Sequence, residues 1–508
     1  MKNTLFNKTV NSLKWTSIST VSNIVLQILY TSIMSRLLNP SDFGLVALAT
    51  SVVSFGNYFA SVGLGRALIQ KEDLTQEDIR AVFSISLIMG LLISISILAL
   101  SPFIGYVYPN ADTGNLKIVI QVMSINIFLS TLGITAGALL MRNLNFKRTT
   151  IILFFATLTQ NIVAIALAYL GFGFWSLVVA GVVNSVLTFF TLFYSAPHSI
   201  IPIFSAKVYK PILSYGAFLS GNTIIEYFNQ TMDIFLIGRF SDAAKVGIYS
   251  RVNLLFGLPI HYLTSTLNSV FFPILSRMQD ELGKIQESLF RIIMFLSILG
   301  LPLAVGVSIA ARNVIIVTLG EQWVEGASVL QIYVFARVIG MVTMQSGIIC
   351  DATANLRPKL IINILYIFII AFFFYIFRSW GLEGFAMGLL VSEVIRNIMY
   401  LVLLRRIINV DYIKYYLILT PAIIVGTAVG VCIYLTTLFC NYAQFNPFSG
   451  LALQVCVGGI ALATTILFIP LPYFSEELKW LVTKFANRSH SARIAKIIEK
   501  YIVFLEKR

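Results

Sequence analysis

Long runs of apolar residues, separated by short polar connections, occupy the chain almost from its start to about residue 471. A helix needs roughly 20 apolar residues to cross a bilayer, and each run reaches that length. The pattern predicts fourteen spans, at residues 14–37, 42–64, 81–106, 116–140, 149–170, 173–195, 212–237, 246–274, 289–311, 325–350, 359–379, 383–404, 415–438 and 450–471. We therefore expect an all-α integral membrane fold.

Composition supports a membrane protein and excludes other classes. Of the 508 residues, 58% are hydrophobic and 11% are charged, and the mean hydropathy is +0.87. Soluble domains carry about 25% charged residues, so much of this apolar surface must face lipid. The net charge of +14 does not indicate a nucleic-acid partner, because the basic residues lie between apolar runs rather than on a soluble domain.

The basic residues predict the orientation of the chain. With the N-terminus inside, 27 of the 36 Lys and Arg lie in inner segments, seven in outer loops and two within spans. Positive charge favours cytoplasmic segments, so both termini are predicted to be cytoplasmic. The first span lacks a cleavage site and is predicted to be retained. All five tryptophans fall near predicted membrane interfaces, at Trp15, Trp175, Trp323, Trp380 and Trp480.

The C-terminal tail, residues 474–508, has a different pattern from the spans. It contains eight Lys and Arg, and its apolar residues recur at helical spacing. This pattern predicts an amphipathic basic helix, or two, on the anionic inner leaflet.

An internal repeat organises the spans. SRLLNPSDFG (35–44) and GRFSDAAKVG (238–247) share a small-Arg-x7-Gly pattern at an offset of 203 residues, and GFGFWSL (171–177) matches GLEGFAM (381–387) at 210. Chance similarity of apolar sequence is the alternative. The repeat predicts two parallel six-helix lobes, at 1–200 and 201–406, with spans 13 and 14 in 407–473 outside the repeat. Such repeats are typical of transporters with a substrate site between lobes.

The first two helices of each lobe carry polar side chains at helical spacing. We predict that they line a water-filled cavity, because such stripes cannot face lipid; hydrogen bonding between helices is the alternative. The residues concerned are Asn23, Gln27, Asn57, Asn222, Gln230, His261 and Asn268.

Charged residues within or near the spans suggest an anionic substrate and an ion-coupling site. We predict that Arg66, Arg251, Arg337 and Arg239 bind anionic groups, since guanidinium binds phosphate bidentately. Snorkelling to the interface is the alternative for Arg239. Glu226 and Asp233, two turns apart on one helix face, could bind a cation or titrate, or could balance Arg251 or Arg239. Glu393 and Arg396 are three residues apart and could pair with each other.

Motifs for catalysis are absent from the sequence. It contains no P-loop, no H-E-x-x-H, no G-x-S-x-G, and its four cysteines fit no metal-ligand spacing. We therefore expect no enzyme activity, no metal and no cofactor, with transport driven by Na⁺, H⁺ or the membrane potential.

Three stretches carry a resemblance to a known family. Residues 35–70, 171–181 and 233–259 resemble polysaccharide flippases of the multidrug/oligosaccharidyl-lipid/polysaccharide exporter superfamily, in the branch of colanic- and teichuronic-acid exporters. The resemblance spans roughly residues 10–440, and it implies alternating access in a bacterial inner membrane. It places family pattern residues at Arg66, Asp233, Arg239 and Arg251. Related lipid flippases carry arginines early in span 1, whereas this chain has none between Lys14 and Arg36.

The resemblance implies translocation of undecaprenyl-pyrophosphate-linked oligosaccharide for capsule, exopolysaccharide or O-antigen synthesis. Its implied partners are the lipid-linked substrate, membrane lipids and a polysaccharide polymerase with its assembly machinery, and the protein is expected to act as a monomer. A cation-coupled small-molecule antiporter and a membrane glycan polymerase or ligase are the alternatives.

Overall fold

The computed structural model describes residues 22–61, 63–204, 206–278 and 281–468, which are helical and contain no β-strand. The helices are α1 (22–37), α2 (Pro40–Ser61), α3 (Leu64–Gln70), α4 (Gln76–Leu100), α5 (Ile104–Val107), α6 (Thr113–Arg142), α7 (Phe146–Tyr169), α8 (Trp175–Ser195), α9 (Ala206–Phe240), α10 (Ala243–Arg277), α11 (Leu282–Ile309), α12 (Ala311–Thr318), α13 (Gly326–Ala352), α14 (Leu356–Phe377), α15 (Gly381–Ile408), α16 (Tyr412–Leu417), α17 (Thr420–Tyr442) and α18 (Pro447–Phe468). Every predicted span overlaps one of these helices.

The protein is a multi-pass membrane protein. Among the described residues, ten stretches are long and apolar enough to cross a bilayer, and the longest, Leu356–Ile408, contains both α14 and α15. Helices α9 and α10 are not among those ten stretches; they carry much of the predicted polar stripe. The all-α fold is confirmed, whereas the count of fourteen crossings stays a prediction.

Local sequence explains several helix boundaries. Gly63 has a φ of 62°, in the left-handed region that favours glycine, and it separates α3 from α2. The predicted second span, 42–64, ends at this break, and Arg66 lies on the short helix that follows. Helix α4 begins at a capping box, in which Thr75 accepts from the Asp78 backbone N–H and Asp78 accepts from the Thr75 backbone N–H.

The chain divides into two compact units. Unit 1 comprises Met1–Pro259, Thr318–Gly326 and Asn363–Gly388, and unit 2 comprises the remainder. In unit 1, α6 packs against α2, α3, α4 and α8, and α9 packs against α2. The lobe boundaries at residues 200 and 406 follow the sequence repeat and stay a prediction.

Unit 2 is built on one apolar core that includes α11, α13, α15 and α17. The helices of predicted spans 13 and 14 pack within this unit, with α17 against α11 and α18 against α17. A polar link supports it, since Asn313 donates to Gln454 Oε1 at 3.1 Å and Gln454 donates to Thr437 Oγ1 at 2.7 Å. The predicted amphipathic tail, Trp15 and Trp480 lie outside the described residues.

Arg142 caps the end of a neighbouring helix in unit 1. Its guanidinium donates to the backbone carbonyls of Leu68, Ile69, Lys71 and Glu72 at 2.5–3.2 Å. The last carbonyls of a helix have no partner within it, so this arginine satisfies the C-terminal end of α3.

Replacing Arg142 should destabilise the protein. We expect Arg142→Gln to cost about 2–3 kcal/mol, because hydrogen bonds to a charged group are lost and several carbonyls lose their donor. Thermal denaturation in detergent measures the effect. Arg148→Gln is the matched control, since Arg148 is exposed; equal melting temperatures for the two variants would contradict the capping role.

His198 lies in the 196–204 connection between α8 and α9. Its ring packs edge-on to Phe83 and Phe193, Nδ1 lies 3.1 Å from the Ala196 carbonyl, and Nε2 is buried without a hydrogen-bond partner among the residues described. Burial disfavours the imidazolium and lowers the pKa of His198 below its ordinary value of 6.5.

This histidine should make stability depend on pH. Because the folded pKa is lowered, unfolded chains bind the proton more readily, and stability is lost as pH falls through 6.5 towards the folded pKa. Above that window the group contributes nothing. Melting temperatures measured from pH 7.5 to 5 should fall more steeply for the native protein than for His198→Gln, and parallel curves would rule the effect out.

Candidate functional site

The two copies of the repeat motif contact each other within unit 1. A Cβ placed on Gly44 would lie 1.6 Å from the Ala243 carbonyl oxygen, and one on Gly247 would lie 1.9 Å from the Pro40 carbonyl oxygen. The pairs are reciprocal, since Pro40 and Gly44 shifted by 203 residues give Ala243 and Gly247. The contact is therefore reciprocal between the two copies of the motif, while the division into two lobes stays a prediction.

Matched sequence positions precede the two helices, although the acceptor is a backbone carbonyl in one and a side-chain carboxylate in the other. Asn39 precedes α2 and Asp242 precedes α10, again at an offset of 203 residues. The Asn39 carbonyl accepts from the Asp42 N–H at 3.1 Å, and Asp242 Oδ1 accepts from the Lys245 N–H at 2.9 Å. Both helices therefore begin at a matched position, which brings their first turns together at Gly44 and Gly247.

Asp233, predicted to couple transport to a cation, is buried between α9 and α10. Its side chain is 2% exposed, and Oδ2 accepts a hydrogen bond from the Tyr249 hydroxyl at 3.0 Å. Tyr249 is itself fully buried. The hydroxyl stabilises a carboxylate at this depth, where an unsatisfied charge would be costly. The sequence did not identify Tyr249, because a tyrosine within an apolar run is interpreted as a residue of the hydrophobic core.

Arg251 lies two residues further along α10 and faces α2. Its guanidinium carbon is 4.4 Å from the centre of the Phe43 ring, a cation–π geometry. The Nε–H is buried and has no hydrogen-bond partner among the described residues. A partly buried guanidinium whose Nε–H is unsatisfied among the described residues can bind an anionic group.

The other three predicted arginines occupy different settings. Arg66 on α3 and Arg239 at the end of α9 are exposed. Arg337, in unit 2, donates from Nε to the Tyr333 hydroxyl, and its guanidinium lies 4.7 Å from that ring.

The polar residues of the predicted cavity also lie in different settings. Asn57 Oδ1 accepts from the Ser130 hydroxyl at 2.8 Å, which joins α2 to α6, as the hydrogen-bonding alternative predicts. Asn23, Gln27 and Glu226 are partly exposed, and Gln230 is exposed. The helix backbones at Asn222, His261 and Asn268 are described, but their side chains lie outside the described residues.

In unit 2, the expected pairing of Glu393 and Arg396 is present. Their side chains are 5% and 16% exposed, and the oxygen and nitrogen lie 2.8 Å apart. A separate pocket of about 600 Å³ lies at the ends of α11, α13, α14 and α15 and includes Arg406 and Asn355. It contains none of the predicted site residues. Within the described ranges, no three His, Cys, Asp or Glu lie close enough to hold a metal ion.

Comparison with known proteins identifies the class. A polysaccharide biosynthesis protein family matches residues 33–328, more than half of the chain, and the protein belongs to that family. It is 26% identical to an uncharacterized membrane protein in the cps region of Klebsiella pneumoniae, covering 81% of this chain and 86% of that protein. It is 23% identical to the lipopolysaccharide biosynthesis protein WzxC of Escherichia coli (strain K12), covering 84% and 88%.

Solved structures show the same fold. The lipid II flippase MurJ, in an inward closed conformation, superposes with a TM-score of 0.71 at 15% identity, covering 88% of this chain and 97% of that chain. An inward-facing MATE family transporter of the MOP superfamily superposes with a TM-score of 0.61 at 18% identity, covering 77% and 98%. The chain therefore shares the fold of these two proteins.

The glycine contact between the repeat motifs should not tolerate a side chain. Gly44→Ala or Gly247→Ala places a methyl group against backbone, so α2 and α10 must separate, and we expect a loss of about 1–3 kcal/mol. Gly459→Ala is the control, since that position on α18 is open and alanine there should be neutral or stabilising. Thermal denaturation decides between them, and a Gly44→Ala protein as stable as the control would disprove close backbone packing.

Proposed function

We propose that the protein translocates lipid-linked oligosaccharide units across a bacterial inner membrane by alternating access, for assembly of a cell-surface polysaccharide. Membership of the polysaccharide biosynthesis family over residues 33–328 carries the proposal. The fold shared with a lipid flippase adds support, because a lipid-anchored cargo needs a protein path for its polar head while its tail stays in lipid.

The proposed cargo has an undecaprenyl-pyrophosphate anchor, and its phosphates require cations within the protein. Arg251 is the best-supported anion ligand, since its guanidinium packs on Phe43 and its buried Nε is left unsatisfied among the described residues. We assign the same role to Arg66, Arg239 and Arg337. Guanidinium binds phosphate more strongly where water is excluded.

Ion coupling is proposed for Asp233 and Glu226. The Tyr249 hydroxyl at 3.0 Å would release Asp233 when α9 and α10 move apart, exposing a carboxylate that can take up H⁺ or Na⁺. The membrane potential is a further source of energy, worth about 2.3 kcal/mol per charge per 100 mV. In this proposal both termini are cytoplasmic, the protein acts as a monomer, and a polysaccharide polymerase receives the product.

Cation antiport of the multidrug type is the weaker alternative. It shares the fold, but it needs a cavity of net acidic charge, whereas Arg251 places a buried cation on α10. A cation substrate would be repelled by that charge.

Flipping can be measured in vesicles that contain the purified protein and a labelled pyrophosphate-linked oligosaccharide. We expect translocation without nucleotide. The flipping rate should fall about 10- to 100-fold for Arg251→Gln, since hydrogen bonds to a charged group are lost. Arg251→Glu should abolish flipping. Arg251→Lys should retain part of the flipping rate, because lysine keeps the positive charge but not the planar guanidinium that binds phosphate bidentately.

The matched control is Arg148→Gln, an exposed change that should leave flipping unaltered. Wild-type rates for Arg251→Glu in a folded protein would remove Arg251 from the site. Release of free lipid carrier with glycan joined to glycan would instead indicate a polymerase.

A further inference from the structure

A short connection between α12 and α13 clamps the turn between α1 and α2. Trp323 is fully buried, its indole N–H donates to the Ser35 carbonyl at 2.8 Å, and its ring meets Phe43 edge-on with centroids 5.4 Å apart. Gln322 donates from its amide to the carbonyls of both Ser35 and Leu38, the latter at 3.1 Å. All of these contacts lie within unit 1.

The carbonyls that these two side chains bind have few other partners. Ser35 lies in the last turn of α1, where helix carbonyls lack donors, and Leu38 follows the helix end. Arg36, in the same turn, donates to the Thr318 carbonyl at 3.4 Å. The connection therefore holds the end of α1 by hydrogen bonds that the α1–α2 turn could not make by itself.

Phe43 links this clamp to the repeat contact. One side of its ring receives Trp323, and its face receives the Arg251 guanidinium from α10. The next residue is Gly44, which packs against the α10 backbone. Three segments distant in sequence, 35–44, 243–251 and 318–323, thus meet around one phenylalanine, and none can move far without breaking the others' contacts.

We propose that Gln322 and Trp323 form a latch that holds the end of α1 and the start of α2 against the 318–323 connection. This latch must open during transport. The opening of the latch during transport rests on the proposed function, whereas the contacts that form the latch do not. The two residues are positioning residues, since they hold the turn that carries Phe43 and Arg36 rather than touching a cargo. Hydrogen bonds to backbone carbonyls at a helix end suit a latch, because water can replace them when the end opens.

Thiol labelling can test the latch independently of transport. The reporter is Ser35→Cys, in a chain whose four native cysteines are replaced by alanine or serine. Ser35 is fully buried and its hydroxyl has no partner among the residues described, so cysteine should fit. Trp323→Phe removes the indole N–H and keeps an aromatic ring. We expect it to raise the rate of maleimide labelling roughly five- to tenfold, the factor that loss of one buried hydrogen bond gives in an opening equilibrium.

Two controls separate a latch from general loosening. Trp380→Phe removes an exposed tryptophan from another connection and should leave the reporter protected. Ser86→Cys places a thiol at a fully buried site on α4 and should stay protected in the Trp323→Phe protein. Equal labelling at Ser35→Cys and Ser86→Cys would show that Trp323 only supports the fold, and it would overturn the proposal, as would unchanged labelling at Ser35→Cys.

Transport measured on the same vesicles distinguishes the two proposals. With the latch intact, adding lipid-linked oligosaccharide should raise labelling of Ser35→Cys, because turnover opens this end. Substrate-stimulated flipping without any increase in labelling would contradict the latch and leave the proposed function standing. If no flipping is measured, but Trp323→Phe still raises labelling of Ser35→Cys and not of Ser86→Cys, the proposed function is contradicted and the latch stands.

Discussion

The close backbone contact between α2 and α10 is the constraint around which unit 1 is arranged. Gly44 and Gly247 allow two helix starts to meet without side chains between them, and each belongs to one copy of the repeat motif. Because the contact is reciprocal, a change in either copy alters both sides of it. The neighbouring residues follow from this approach: Phe43 is placed to receive Arg251 and Trp323, and Tyr249 is placed over Asp233.

The charges near this contact are handled in two different ways. Asp233 is satisfied inside the protein by a hydroxyl, whereas Arg251 lies on an aromatic face that leaves part of its hydrogen-bonding capacity unused. A cation–π contact contributes about 0.5–2 kcal/mol, less than a good phosphate interaction, so a pyrophosphate can compete for the guanidinium. In the proposed function, this difference is the reason for assigning cargo binding to Arg251 and the response to movement to Asp233.

Much of the fold could be predicted from the sequence, since long apolar runs have one structural solution in lipid. The repeat offset of 203 residues also identified Gly44 and Gly247, although not that they touch, because a shared motif does not reveal a shared interface. The polar stripe was harder to interpret. Asn57 bonds to Ser130, and side chains that line water and side chains that join helices have the same spacing. The position of Trp323 near a membrane interface stays a prediction. Its burial against Ser35 could not be read from the sequence, since a tryptophan beside a loop has the same sequence context whether it faces lipid or protein.

The central claim is that this transporter recognises a phosphate-bearing lipid. It is tested most directly by comparing, in vesicles containing the purified protein, the flipping rates of two labelled lipids that share an isoprenoid tail and a glycan, one joined through pyrophosphate and one through a neutral linkage. The account predicts rapid flipping of the pyrophosphate lipid and a background rate for the neutral one, since arginine binds the phosphates. Equal rates for both lipids, or transport of small cations with neither lipid moved, would contradict it.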